Sequence, residues 1–197
     1  MTQAREQVLK VYDDGIAGVR RTAAAITDWS LPTPCSGWNA SELAGHLLAI
    51  VRYYHRLLDA AVLAHPLVDL PRGRQLEEMN ASDLAALPPE RGPRRISKFV
   101  ADAQRSRLLL AEVDWDMQIG SWEALGPLTV EQHTGLAALE WHVHAWDLAK
   151  AMGHEHRPLA PEILAQAARV LPAPMPAGDP WTATLRWTGR EPESFAG

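Results

Sequence analysis

The chain has 197 residues, 47% hydrophobic and 22% charged, with a formal net charge of -5 from scattered basic and acidic residues; this excludes disordered and fibrous classes and gives no basic stripe for nucleic acid. Cys35 is the only cysteine, which excludes internal disulfides and multi-cysteine zinc or iron–sulfur sites and fits a reducing, cytoplasmic compartment. With no signal-peptide core at its start and no run of ~18 apolar residues, the chain is expected to be soluble and free of membrane, its length matching one domain.

Val8, Val11, Tyr12, Ile16, Val19, Ala23 and Ile26 step by three and four and predict a first amphipathic helix. Pro32, Pro34 and Gly37 then force a turn. Asn39 followed by Glu42 forms a capping-box pair for a second helix, whose apolar face is Leu43, Leu47, Ile50, Tyr54, Leu57, Leu58, Ala61 and Val62. Between Pro66 and Pro93 the sequence is polar and broken by Pro71, Gly73, Pro88, Pro89 and Gly92. It reads as a long crossover with a short helical piece near Asp83 to Leu87.

A third helix is expected from Arg94 to Glu112, with Ile96, Phe99, Val100, Ala103 and Leu110 inward, and a loop from Trp115 to Pro127. Thr129 with Gln132 makes a second capping box and opens a fourth helix through Leu136, Leu139, Val143 and Leu148 to a terminal Gly153. Pro161 starts a short helix that the Pro172 to Pro176 run stops, and Trp181 to Thr188 alternates like one strand. Four long helices with one long crossover form an all-α, four-helix-bundle pattern. The bundle is expected over residues 1–153, with a short C-terminal extension, 154–197, packed on it as a helix and a strand or hairpin.

At ~100° per residue, His46 shares the apolar stripe of the second helix, whereas His55 points away. On the fourth helix Glu140 and His144 lie about 40° and one turn apart, and His142 faces away from both. A carboxylate amid Ala137, Leu139 and Val143 needs a partner. The pair offers one oxygen and one imidazole nitrogen, and His46 from a facing helix would complete three metal ligands with a position left open. The same spacing also suits a plain hydrogen-bonded couple.

His133 has three readings: fourth ligand, substrate contact or ordinary satisfied histidine, the last favoured. Asp147 either orients the His144 imidazole or pairs with Lys150 or an arginine. Cys35 reads as a small buried hydrophobe more than a nucleophile, since no base is identifiable beside it. Trp38, Trp141 and Trp146 line a cleft or belong to the core, the core being the commoner fate.

The stretch from Pro32 through Cys35, Trp38, Glu42 and His46 to Leu47 resembles the first signature of the mycothiol-dependent maleylpyruvate isomerase N-terminal family, within the DinB/YfiT-like superfamily. The run from Glu140 to Ala149, with His144, Trp146 and Asp147, followed by Gly153, resembles its second signature. The resemblance spans roughly residues 5 to 153. It implies an antiparallel four-helix bundle that holds a divalent metal, usually zinc, through His46, Glu140 and His144. Two imidazoles and a carboxylate also suit nickel, iron or cobalt.

The family isomerase carries a C-terminal α/β domain, whereas here only about 44 residues follow Gly153. Arg186 and Arg190 in this segment are candidates to bind an acidic substrate, with solvent exposure the favoured reading. The resemblance implies an enzyme that uses mycothiol or a similar low-molecular-weight thiol for thiol transfer to, or thiol-assisted isomerisation of, a small electrophile. A non-catalytic metal- or ligand-binding bundle, closed by a fourth ligand such as His133, is the alternative. A helical transcription regulator is disfavoured by the acidic balance, and a homodimer is left open.

Overall fold

The computed structural model describes residues 2–35, 37–62, 68–69, 78, 81–82, 84–86, 91–122, 126–171 and 173–191. Contacts gather these into two compact units, Met1–Leu43 with Thr134–Gly197, and Ala44–His133. Among the described residues no helix is long and apolar enough to cross a membrane.

The first unit is built on helix α1, Gln3–Ala24, capped by Thr2, whose hydroxyl accepts the Arg5 N–H. Its inward face carries Val11, Tyr12, Ile16 and Val19, as the three-and-four spacing predicts, together with Gly15 and Gly18. Those glycines permit close approach. A Cβ on Gly15 would lie 2.8 Å from the Trp141 Cβ, and one on Gly18 would lie 2.6 Å from the His156 ring. After α1 the predicted turn closes on itself: the Thr33 N–H and hydroxyl both donate to the Trp38 carbonyl, and Gly37 supplies the left-handed residue with a φ of 85°.

Helix α2, Ala40–Val62, opens on the expected capping box, the Asn39 N–H donating to Glu42 and the Glu42 N–H to Asn39, each at 2.9 Å. The second unit holds most of it. There α3, Gly92–Leu109, starts with Pro93 in its first turn and buries Ile96, Phe99 and Ala103. It ends three residues before the expected Glu112, and Leu110 stays buried just past its end, its carbonyl accepting the Trp115 indole N–H at 2.8 Å. In the crossover, residues 81–82 and 84–86 are helical, and the rest of the expected 83–87 piece lies outside the described residues.

The expected loop from Trp115 to Pro127 is instead partly a hairpin. Strands β2, Gln118–Trp122, and β3, Gly126–Thr129, pair antiparallel, and β1, Val68–Asp69, joins β2 in parallel. Among the residues whose burial is described, Ile119 and Leu128 are its buried apolar side chains. The hairpin delivers Thr129 to the start of α4, Val130–Lys150, where the Thr129 N–H donates to Gln132 Oε1 and the Gln132 N–H to Thr129 Oγ1.

From His133 to Lys150 every residue of α4 is buried except Glu140. A helix apolar on nearly all sides belongs in a core. It ends as the sequence predicts, with Gly153 at a φ of 71°, the His154 N–H bonded to the Ala149 carbonyl and the Gly153 N–H to that of Lys150. Helix α5, Pro161–Ala168, begins with the expected proline and packs on α1 and on α6, Pro180–Trp187.

Helix α6 replaces the expected strand over Trp181 to Thr188. Asp179 caps it by accepting the Thr182 N–H at 3.0 Å, Pro180 occupies the first turn, and Trp181, Thr184 and Leu185 bury one face at helical spacing. Alternation over seven residues is satisfied equally by these i, i+3, i+4 positions; the cap and the proline decide between them.

Candidate metal centre

The spacing along α4 brings Glu140 and His144 together, with Glu140 Oε2 3.2 Å from His144 Nε2. Glu140 is not enclosed as expected from its apolar neighbours. Its side chain is 39% exposed, while that of His144 is buried, so this pair stands at the one break in burial between His133 and Lys150. The other ring nitrogen of His144, Nδ1, lies 2.9 Å from Asp147 Oδ2. Asp147 is wholly buried and is gripped by a fork from Arg190, Nε to Oδ1 at 3.2 Å and Nη2 to Oδ2 at 2.7 Å. Asp147 thus bonds both the His144 ring and an arginine, in the interior and not on the helix surface; Lys150 pairs with Glu155 instead.

Burial opposes a charge on His144, but its hydrogen bonds to Asp147 and Glu140 outweigh that and raise its pKa. Burial likewise acts to raise Asp147, and the hydrogen bonds from His144 and Arg190 outweigh it and hold the carboxyl below its usual range. Cys35 joins this cluster: its Sγ and ligand atoms of His144 and Asp147 lie within 4.8 Å of one another. Burial pushes the thiol up to about 11 against the pull of Arg190, so it stays protonated near neutral pH. The side chain is half-buried, less enclosed than expected, and its raised pKa does not suit an activated nucleophile.

His46 is buried on α2 in the second unit, on the stripe its helical position predicts. His133 is also buried. Its Nε2 is enclosed without a hydrogen-bond partner among the described residues, and burial lowers its pKa to about 4. Tyr54 meets its ring edge-on, with centroids 6.2 Å apart.

His142 faces away from Glu140 and His144 as expected and serves the core. Its Nε2–H donates to the Val11 carbonyl at 2.9 Å, so Nδ1 accepts from His156 Nε2 at 3.0 Å, the two rings stacked. Trp141 and Trp146 are core residues, the former edge-on to Tyr12. Arg186 lies on α6, whereas Arg190, expected in solvent, is the residue sequence reasoning placed wrongly. Its only local signal is Gly189, which ends α6 and turns the chain back with a φ of 79°.

The pattern of the family described as mycothiol maleylpyruvate isomerase N-terminal domain matches residues 12–149. No curated protein matches the chain. Among solved structures, the crystal structure of the mycothiol-dependent maleylpyruvate isomerase is similar with a TM-score of 0.61 at 16% identity, over 85% of this chain and 70% of that one. A histidine-to-alanine variant of that isomerase is similar with a TM-score of 0.64 at 14% identity and the same coverage. The likeness gives the chain the DinB-like helical fold that its two sequence blocks lead one to expect. With more than half of its length matched, the chain belongs to the mycothiol maleylpyruvate isomerase N-terminal domain family.

Proposed function

We propose that this protein is a divalent-metal-dependent enzyme that uses a low-molecular-weight thiol such as mycothiol to isomerise, or to become attached to, a small electrophile. His46, Glu140 and His144 would hold the metal, zinc being the first choice. The observation that carries this reading is the Glu140–His144–Asp147 arrangement at the break in burial along α4. With Nδ1 committed to Asp147, His144 turns Nε2 toward Glu140, and their 3.2 Å separation suits two ligands of one ion. Tetrahedral bonds of ~2.0–2.2 Å place ligand atoms about 3.4 Å apart.

When bound, the ion would supply Lewis acidity that favours the thiolate form of a thiol cosubstrate. The chain's own residues prepare for this. Asp147 fixes the His144 ring, the partly exposed Glu140 gives access from solvent, and the protonated Cys35 leaves the nucleophile to the cosubstrate. Addition of the thiol sulfur to an activated double bond, then rotation and release, isomerises it; addition without release is an S-transfer.

A closed, non-catalytic metal site is the second reading, and the His133 Nε2, enclosed without a hydrogen-bond partner among the described residues, favours it as a fourth ligand. Elemental analysis of the purified protein and of His46→Ala, Glu140→Gln and His144→Ala decides. About one metal per chain, lost in all three variants while helical circular dichroism persists, supports the ligand set; stoichiometric metal retained in the variants refutes it. A cobalt-substituted protein that exchanges a bound water supports the enzyme, and a four-ligand closed spectrum the storage site.

A further inference from the structure

Among the described residues, two Arg–Asp forks of similar geometry lie in different settings. Arg157 grips Asp179 at 3.1 and 2.6 Å on the surface, where both side chains are largely exposed and Asp179 also caps α6. Arg190 grips Asp147 in the interior, its side chain 13% exposed and that of Asp147 fully buried. A buried ion pair is a poor source of net stability, because taking both charges out of water offsets their attraction. The inner fork differs in one further respect: its carboxylate holds the imidazole of His144.

Three of the five N–H groups of Arg190 are committed. Nε and Nη2 go to Asp147, and Nη1 donates to the Thr188 carbonyl at 2.6 Å. The two parallel bonds to one carboxylate make this a clamp. Its backbone is equally fixed, since the Gly189 turn sends the Arg190 N–H to the Leu185 carbonyl at 2.8 Å and the Gly189 N–H to that of Arg186 at 3.0 Å. Arg190 thus leaves the end of α6 in one direction, and 43 positions separate it from the aspartate it meets. It also lies beyond the residues that match the family pattern, which stop at 149.

We propose that Arg190 is a positioning residue of the metal centre: through Asp147 it fixes the His144 ring, so that the C-terminal segment completes a site whose ligands lie elsewhere. The proposal rests on the metal reading above. An imidazole ligand is oriented by the acceptor on its second nitrogen, and that acceptor keeps its place only when its remaining lone pairs are held. A lysine would keep the charge but lose the two-point grip.

Cobalt(II) titration of the metal-stripped full chain, with Arg190→Gln, Arg190→Lys, Asp147→Asn and Arg157→Gln, tests it, alongside proton NMR of the imidazole N–H of His144 without metal. Expected are a loss of about 10–100-fold in cobalt affinity in Arg190→Gln, a smaller loss in Arg190→Lys, and little further loss when Asp147→Asn is added. In metal-free Arg190→Gln, the downfield Nδ1–H resonance should broaden or disappear. Arg157→Gln should change neither readout, which separates positioning from a merely structural fork. Cobalt affinity within two-fold of wild type in Arg190→Gln, or losses that multiply in the double variant, would overturn the proposal. Should the wild-type chain itself take up no cobalt, the metal reading falls, and the resonance decides for Arg190: unchanged in Arg190→Gln and Arg190→Lys, it overturns the clamp. Arg190→Lys serves where Arg190→Gln does not fold.

Discussion

Gly18 shows how much one missing side chain accomplishes. Alanine is intrinsically the better helix former by about 1 kcal/mol, so Gly18→Ala would stabilise α1 if its surroundings could yield. They cannot yield easily, because the His156 ring, 2.6 Å from the added Cβ, is stacked on and bonded to His142. We expect Gly18→Ala to lower stability by about 1–3 kcal/mol, read from the urea midpoint; a midpoint that rises would show the ring to be free to move. At this scale the sequence reveals pairs that lie on one helix and little else. Glu140, His144 and Asp147 follow from helical geometry. Arg190 does not, because its direction depends on a glycine turn at the end of a helix that itself reads as a strand. His156 is hidden likewise, since it stands in a loop and meets α1 and α4 only once the chain has folded back.

The elements that the sequence predicts well are those with a chemical start signal. Both capping boxes, Asn39 with Glu42 and Thr129 with Gln132, form as reciprocal hydrogen bonds. Asn39→Ala should therefore cost about 0.5–2 kcal/mol, seen as a drop of roughly 2–4 °C per kcal/mol in Tm for a chain of this size; an unchanged Tm would mean that water replaces the cap at no cost. The elements missed are short. The strands β2 and β3 are five and four residues long and α6 is eight, lengths at which two-residue and helical periods look alike. In α6 the start signal was present in Asp179 and Pro180, and the apparent alternation masked it.

For the molecule as a whole, burial of histidines sets the response to acid. His133 and His156 are both held near a pKa of about 4, His133 by burial and His156 by burial and then by the neighbouring His142. An unfolded histidine titrates near 6.5, so between these values the unfolded chain binds protons that the native chain refuses. The contribution of these two histidines is then complete above about pH 6.5 and declines as pH falls toward 4, by an order of 2–3 kcal/mol for each. His144, whose pKa is raised, acts in the opposite sense and only above pH 6.5. Urea midpoints of metal-free protein at pH 7, 5.5 and 4.5 check this, and a flat profile would contradict it. His156→Gln should make the decline shallower. The family and its helical fold were legible at this scale because two separated blocks carry both the capping signals and the inward polar residues. The charges on the C-terminal segment were not, since a guanidinium next to a buried carboxylate has no signature in a single sequence.

Helix α4 has one further consequence, for how such a protein can change. From His133 to Lys150 only Glu140 is not buried, so a substitution almost anywhere else along that stretch must be absorbed by tightly packed neighbours. Position 140 alone can take on a different length or charge at small cost to packing. Descendants of this chain that acquire a new preference for metal or substrate through α4 would be expected to start there, with the rest of the helix inherited nearly intact.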